Sequence, residues 1–207
     1  KKQNMGGRSF TQVVGYRNLD ELTDRIDRFS YRVLKKDCLD LPEKTYTARY
    51  IPLTKEQKMM YERIQREALM LFDDGEMVTA PAVITQLLRL QQVLSGHIKT
   101  DEGKIVTFPT KSMDALQEIM DEHDCKAIIL SRIRYDIQAI VLTLQKKYGE
   151  HAAAGYFGDT GDEERNDIVR NFQDPNHPLK YFVGNPSTAG YGLTLTEADL
   201  VVYYAND

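Results

Sequence analysis

The 207 residues predict an α/β protein: a parallel sheet with helices on both faces, preceded by a helical and extended accessory region. Three observations carry this. From Lys111 onward, helix-patterned and β-rich stretches alternate. The β-rich stretches are short and apolar, as strands buried on both faces are. The segments richest in hydroxyls and glycine follow those strands, where open parallel sheets place their ligands.

Taken in order, residues 1–30 read as a linker carrying a short helix from about Asp20 to Phe29. Residues 31–110 read as an extended segment and a two-helix protrusion. Y-T-A-R-Y-I-P-L at 46–53 alternates polar and apolar residues, and Pro42 and Pro52 punctuate the segment. Thr54 and Gln57 form a capping box before the first long helix. Met60, Ile64 and Leu71 lie along one side of that helix, with Tyr61 and Ala68 nearby, and Asp73-Asp74-Gly75 ends it. Thr79 caps the second, which has Pro81 in its first turn. Ile84, Leu87, Leu88, Val93 and Leu94 give it a broad apolar face assigned to the core, and Gly96 stops it.

Residues 111–207 read as one lobe. Helices are expected over Lys111–Glu122, Tyr135–Lys147 and Asp162–Phe172, the last opened by a capping box at Thr160–Glu163. Strands are expected over Ala127–Leu130, Ala152–Phe157, Lys180–Val183 and Leu200–Tyr204. The loops Ser131-Arg132, Gly158–Thr160 and Gly184–Thr188 all follow strands.

Composition narrows the class. A chain with 42% hydrophobic and 28% charged residues is that of a globular protein. No run approaches the roughly 18 apolar residues of a membrane span, so no membrane partner is expected. The first residue is Lys and no leader pattern opens the chain, which reads as an excised fragment of a cytoplasmic protein. Cys38 and Cys125 are far apart and unpatterned, which suits reduced thiols rather than a zinc site. His97, His123, His151 and His177 lack metal-ligand spacing and read as surface or loop residues. The net charge of −4 argues against a generally basic nucleic-acid binder, although residues 1–36 carry +5. Those charges are either a local phosphate-binding face or a solvated linker.

The densest chemistry lies in G-N-P-S-T-A-G-Y-G-L-T-L-T-E-A-D-L-V-V-Y-Y at 184–204. Ser187, Thr188, Thr194 and Thr196 supply hydroxyls for phosphate oxygens, and Gly190 and Gly192 allow close backbone approach. An ordinary glycine-rich turn before a strand is the alternative. Asp199 stands at the strand's start.

This run resembles motif V of superfamily-two helicases of the Swi/Snf-type branch. Ala127–Arg132 (A-I-I-L-S-R) resembles motif IV, and Tyr156–Asp174 resembles the family's G-x-T/S-x-x-E-R…F segment. Leu88–His97, Leu41–Lys44, and Gly6-Gly7 with Val14–Leu19 resemble further family signatures in the family's order. Ala189 stands where many members carry an Arg, and the loop is shorter, which suggests a bacterial or phage branch.

The resemblance implies a RecA-like second motor lobe. By it, Ser187, Thr188, Arg132 and Thr160 would track a nucleic-acid backbone, and Gly190, Gly192 and Asp199 would lie nearer an ATP cleft shared with a first lobe. The expected partners are that first lobe and DNA, most simply duplex. The cofactors of the parent protein would be ATP and Mg2+, held mainly by the first lobe. No G-x-x-x-x-G-K-[ST] loop or D-E-x-H box occurs, and the family's arginine-finger segment would begin after Asp207. The lobe is therefore expected to be truncated before motif VI and not to turn over ATP alone. Other roles stand beside these: Thr160 as a helix cap, Asp199 satisfying backbone amides, Arg132 bridging Asp136 at i,i+4, and Arg134 and Arg165 as solvated helix charges. A noncatalytic nucleic-acid- or protein-binding module and an unrelated nucleotide-binding α/β enzyme are the competing functions.

Overall fold

Four parallel strands form the sheet the alternation predicts, in the order β6-β7-β5-β8: β5 (Ala127–Ser131), β6 (Ala153–Tyr156), β7 (Tyr181–Gly184) and β8 (Leu200–Ala205). The structure is a computed structural model that describes residues 2–5, 8–11, 15–34, 38, 40, 43–73, 80–100, 102–190 and 192–205, with side chains described from residue 15 except at 70–73 and 80–82. Gly6, Gly7, Val14, Leu41, Pro42, Asp74, Gly75, Thr79 and Asp207, and the side chains of Leu71, Asp73 and Pro81, lie outside the described residues.

The chain divides into two compact units, Lys1–Ala48 and Arg49–Asp207. The first carries an antiparallel hairpin of β1 (Lys2–Met5) and β2 (Arg8–Thr11), where only a linker was expected. Its helix α1 (Leu19–Ile26) starts at Asn18, held at φ 55°, and buries none of its residues.

The second unit opens with α2 (Lys55–Asp73) and α3 (Ala80–Leu94). The expected capping box forms: Gln57 N–H donates to Thr54 Oγ1 (3.2 Å), and Thr54 N–H donates to Gln57 Oε1 (3.0 Å). Gln57 does more than the box requires. It is 1% exposed, and its Nε2 donates to the carbonyls of Val93 (3.1 Å) and Leu94 (3.0 Å). One side chain thus satisfies orphan groups at the start of α2 and the end of α3.

The apolar face assigned to α3 needs correcting. Val93 is fully buried, but Ile84, Leu87, Leu88 and Leu94 are 42–56% exposed. The covered stripe runs through positions 83, 86, 90 and 93, so residues 84, 87 and 88 fall on the adjacent face. Gly96 ends the helix as expected, at φ +85°; a Cβ there would meet Thr110 Cγ2 at 2.8 Å. The chain then forms a hairpin of β3 (His97–Lys99) and β4 (Ile105–Thr107) that the sequence did not announce.

Helices α4 (Ser112–Glu122), α5 (Arg134–Tyr148) and α6 (Asp162–Gln173) match expectation within two residues. Leu116 and Met120 of α4 and Ile137, Ile140 and Leu144 of α5 pack on one sheet face, against Ala127, Ile129, Tyr181 and Val183. Ile168 and Phe172 of α6 cover the other, against Tyr156 and Phe182, where the 193–198 segment also packs. Alternate residues of β5 and β7 serve opposite faces, as the pleat dictates.

Candidate nucleic-acid interface

The carboxyl ends of β5, β6 and β7 lie level, because Leu130 and Tyr156 both pair with Gly184. Three loops leave that edge.

In the first, Ser131 is fully buried; its hydroxyl donates to Asp136 Oδ2 (3.1 Å) and accepts from Ile133 N–H (3.2 Å). Arg132 is thereby turned outward, where it is exposed. Its N–H donates to Ala205 O at 3.3 Å. Asp136 is not the surface partner of Arg132 that the i,i+4 spacing suggested. It is 2% exposed, and its Oδ1 stands 3.6 Å from Nδ1 of His97. Burial pushes its carboxyl up to about 6, partly offset by hydrogen bonds from Ser95 and Ser131. His97 is likewise no surface histidine: it is 2% exposed with its ring 4.4 Å from that of Tyr135. Burial lowers its pKa, and a backbone hydrogen bond at Ser95 opposes the shift.

In the second loop, Thr160 is buried. Its hydroxyl donates to Gly155 O (3.1 Å) and accepts from Phe157 N–H (3.2 Å). The expected capping box does not form; α6 starts from Gly161 without a side-chain cap, since that hydroxyl is committed to the loop. Arg165 is not a solvated charge either. Its Nη2 donates to the carbonyls of Phe157 (3.1 Å) and Gly158 (3.2 Å), and its guanidinium lies 5.6 Å from the Tyr156 ring centroid. Arg134 pairs with Asp159. Arg165 Nη1 also stands 3.6 Å from Asp162 Oδ1, so each of these two guanidiniums has a carboxylate partner.

The third loop is α7 (Pro186–Ala189), one turn capped by Asn185. Asn185 Oδ1 accepts from Ser187 N–H (2.9 Å) and Ser187 Oγ (2.6 Å), while its Nδ2 donates to Arg132 O (3.1 Å). Its own N–H donates to Tyr156 O at 3.1 Å. Thr188 follows, half-buried, and its hydroxyl has no partner among the described residues. Gly190 closes the turn by donating to Pro186 O at 2.8 Å; a Cβ there would lie 2.3 Å from that oxygen. Gly192 takes φ +75°.

The other candidates lie elsewhere. Thr196 Oγ1 accepts from Gln173 Nε2 (3.0 Å), at the far end of α6. Asp199 N–H donates to Lys126 O (3.1 Å), which places Asp199 at the amino edge of the sheet. The structure therefore brings Arg132, Thr160, Ser187, Thr188 and Gly190 to one edge and leaves Asp199 at the opposite one.

Residues 111–207 match the family described as Helicase conserved C-terminal domain. The Sulfolobus solfataricus SWI2/SNF2 ATPase core in complex with dsDNA superposes with a TM-score of 0.64 at 27% identity, over 89% of this chain and 40% of that one. The C-terminal domain of the Sulfolobus solfataricus SWI2/SNF2 ATPase aligns with a TM-score of 0.63 at 23% identity, over 76% and 70%. These residues form a helicase C-terminal domain with the fold of a SWI2/SNF2 ATPase C-terminal domain. Among curated relatives, a Bacillus subtilis protein carrying the name ATP-dependent helicase/translocase YwqA is 24% identical over 91% of this chain. The Arabidopsis thaliana ISWI chromatin-remodeling complex ATPase CHR11 is 22% identical over 95%. The chain spans about a fifth of the length of these relatives, 21% and 20%.

No Walker-type loop occurs in the sequence, and the described residues bring no group of three or more His, Cys, Asp or Glu near enough to hold a metal ion. No described helix is long and apolar enough to cross a membrane. The sequence reading overlooked Asn185, although an Asn-Pro step after an apolar strand is a turn-initiating signal. It assigned Asp136 and His97 to the surface, because no local pattern reveals their burial.

Proposed function

We propose that this lobe is the second motor lobe of a DNA-stimulated Swi/Snf-type ATPase, gripping a duplex backbone at the carboxyl edge of its sheet. The observation that carries the reading is that the exposed Arg132 and the half-buried Thr188, whose hydroxyl has no partner among the described residues, stand on loops of that edge tied together by Asn185. A cation and neutral hydroxyl donors suit phosphate oxygens and carry no base specificity. Thr160 is buried and its hydroxyl is committed to Gly155 and Phe157, so it acts through the loop it shapes rather than by contact. The dsDNA-bound Sulfolobus solfataricus relative supports the choice of duplex DNA.

ATP and Mg2+ would be held mainly by a first RecA-like lobe, with Gly190 and Gly192 on the face turned to it. Asp199 is retained as a cleft residue only if that lobe also reaches the amino edge. A bound nucleotide would supply the closure of two lobes, while Arg132 and Thr188 hold the track. The test is steady-state ATPase of a chain joining this lobe to a Walker-containing lobe, titrated with duplex DNA, single-stranded DNA and RNA. Stimulation by duplex DNA that falls about tenfold or more with Thr188→Ala is the expected result. No turnover with any nucleic acid would sink the motor reading in favour of a noncatalytic binding module.

A further inference from the structure

We infer that Asn185 is a positioning residue, fixing the spacing between the Arg132 turn and the Ser187–Thr188 turn; this rests on the proposed DNA grip. Its amide orientation follows from its partners. Ser187 N–H can only donate, so the atom facing it is Oδ1, and Nδ2 must face the Arg132 carbonyl, which can only accept. The Arg132 peptide is thus held from both sides, by the Ala205 carbonyl across β8 and by Asn185 across β7. From beneath, Ser131 is anchored to the buried Asp136. The other turn is anchored by the bond from Asn185 N–H to Tyr156 O. Both turns are therefore rigid, and the Asn185 side chain is the link that sets one against the other. A phosphate gripped by both Arg132 and Thr188 needs that spacing, because small misplacements of paired groups erode binding steeply.

Serine at 185 isolates the linking function. It is a good helix N-cap and can still accept from Ser187 N–H, but it is too short to reach the Arg132 carbonyl. Affinity for a fluorescein-labelled duplex oligonucleotide would be measured by anisotropy on folded protein, checked by thermal melting, for wild type, Asn185→Ser, Arg132→Ala and the double variant. Asn185→Ser is expected to bind about 3–10-fold more weakly. The double variant is expected within about twofold of Arg132→Ala alone, because the effect of Asn185 passes through Arg132. Wild-type affinity in Asn185→Ser, or losses that simply multiply, would overturn the inference. If Asn185→Ser melts early, Asn185→Asp preserves size and cap while placing an anion against the Arg132 carbonyl; binding as tight as wild type would again overturn it. The grip itself fails separately: in that case Arg132→Ala binds like wild type, whatever position 185 does.

Discussion

Ser187 and Thr188 are neighbours whose hydroxyls are differently engaged. Ser187 Oγ already donates to Asn185 at 2.6 Å, whereas the Thr188 hydroxyl has no partner among the described residues. Thr188→Ala is therefore expected to weaken duplex binding about tenfold and Ser187→Ala less than about threefold, read by anisotropy. Equal losses would mean that Ser187 exchanges its partner for phosphate. The Asp136 carboxyl has a second consequence. Its folded value, raised from 3.8 to about 6, means that the folded state holds the proton more tightly than the unfolded chain. Its stabilising contribution is full below pH about 4 and is lost as pH rises through about 6, an effect of about 2–3 kcal/mol. His97 opposes it: its lowered value gives stability present above 6.5 and lost as pH falls. Denaturant melts across pH 4–7 should show the rise-linked loss in wild type and not in Asp136→Asn. Superimposable profiles would rule it out. These residues mark where sequence reading stopped. Arg132 and Thr188 were legible as types in a motif, but the burial of Asp136 and His97 comes from a helix turn and a β-hairpin that meet across a long stretch of chain.

At the scale of elements, Gln57 joins two helices. Replacing it by Ala removes an acceptor and two donated hydrogen bonds from buried or half-buried backbone groups, so a loss of about 2–4 kcal/mol in denaturant melts is expected. A change below about 1 kcal/mol would show that water replaces these bonds. By contrast, Leu87→Ser and Leu88→Ser should each change stability by about 0.5 kcal/mol or less, because both side chains are about half exposed. The capping box, the glycine stop at 96 and all four parallel strands were legible, since each rests on chemistry within a few residues. The three-residue strands β3 and β4 and the single-turn α7 are too short to leave a period. The face of α3 was misread because apolar composition was taken for apolar direction. The box at Thr160 failed because a tertiary hydrogen bond to Gly155 outcompeted the local cap.

At the scale of the molecule, the proposed grip asks a chain with a net charge of −4 to hold a polyanion. It can do so only if the favourable field is local, at the edge where the exposed Arg132 stands. The sheet makes that possible. Level strand ends collect the loops on one edge, while Asp199 and the end of α6 stay at the other. The fold class was legible because alternation of helix and strand leaves few topologies; the charge distribution over the edge was not, because it depends on which loops become neighbours. The most direct test of the grip is the salt dependence of duplex affinity for wild type and Arg132→Ala. The account predicts affinity falling linearly on logarithmic axes with salt. It also predicts a slope shallower by about 0.9 in Arg132→Ala, because one phosphate fewer is neutralised. Binding that ignores salt, or an unchanged slope in Arg132→Ala, would contradict it.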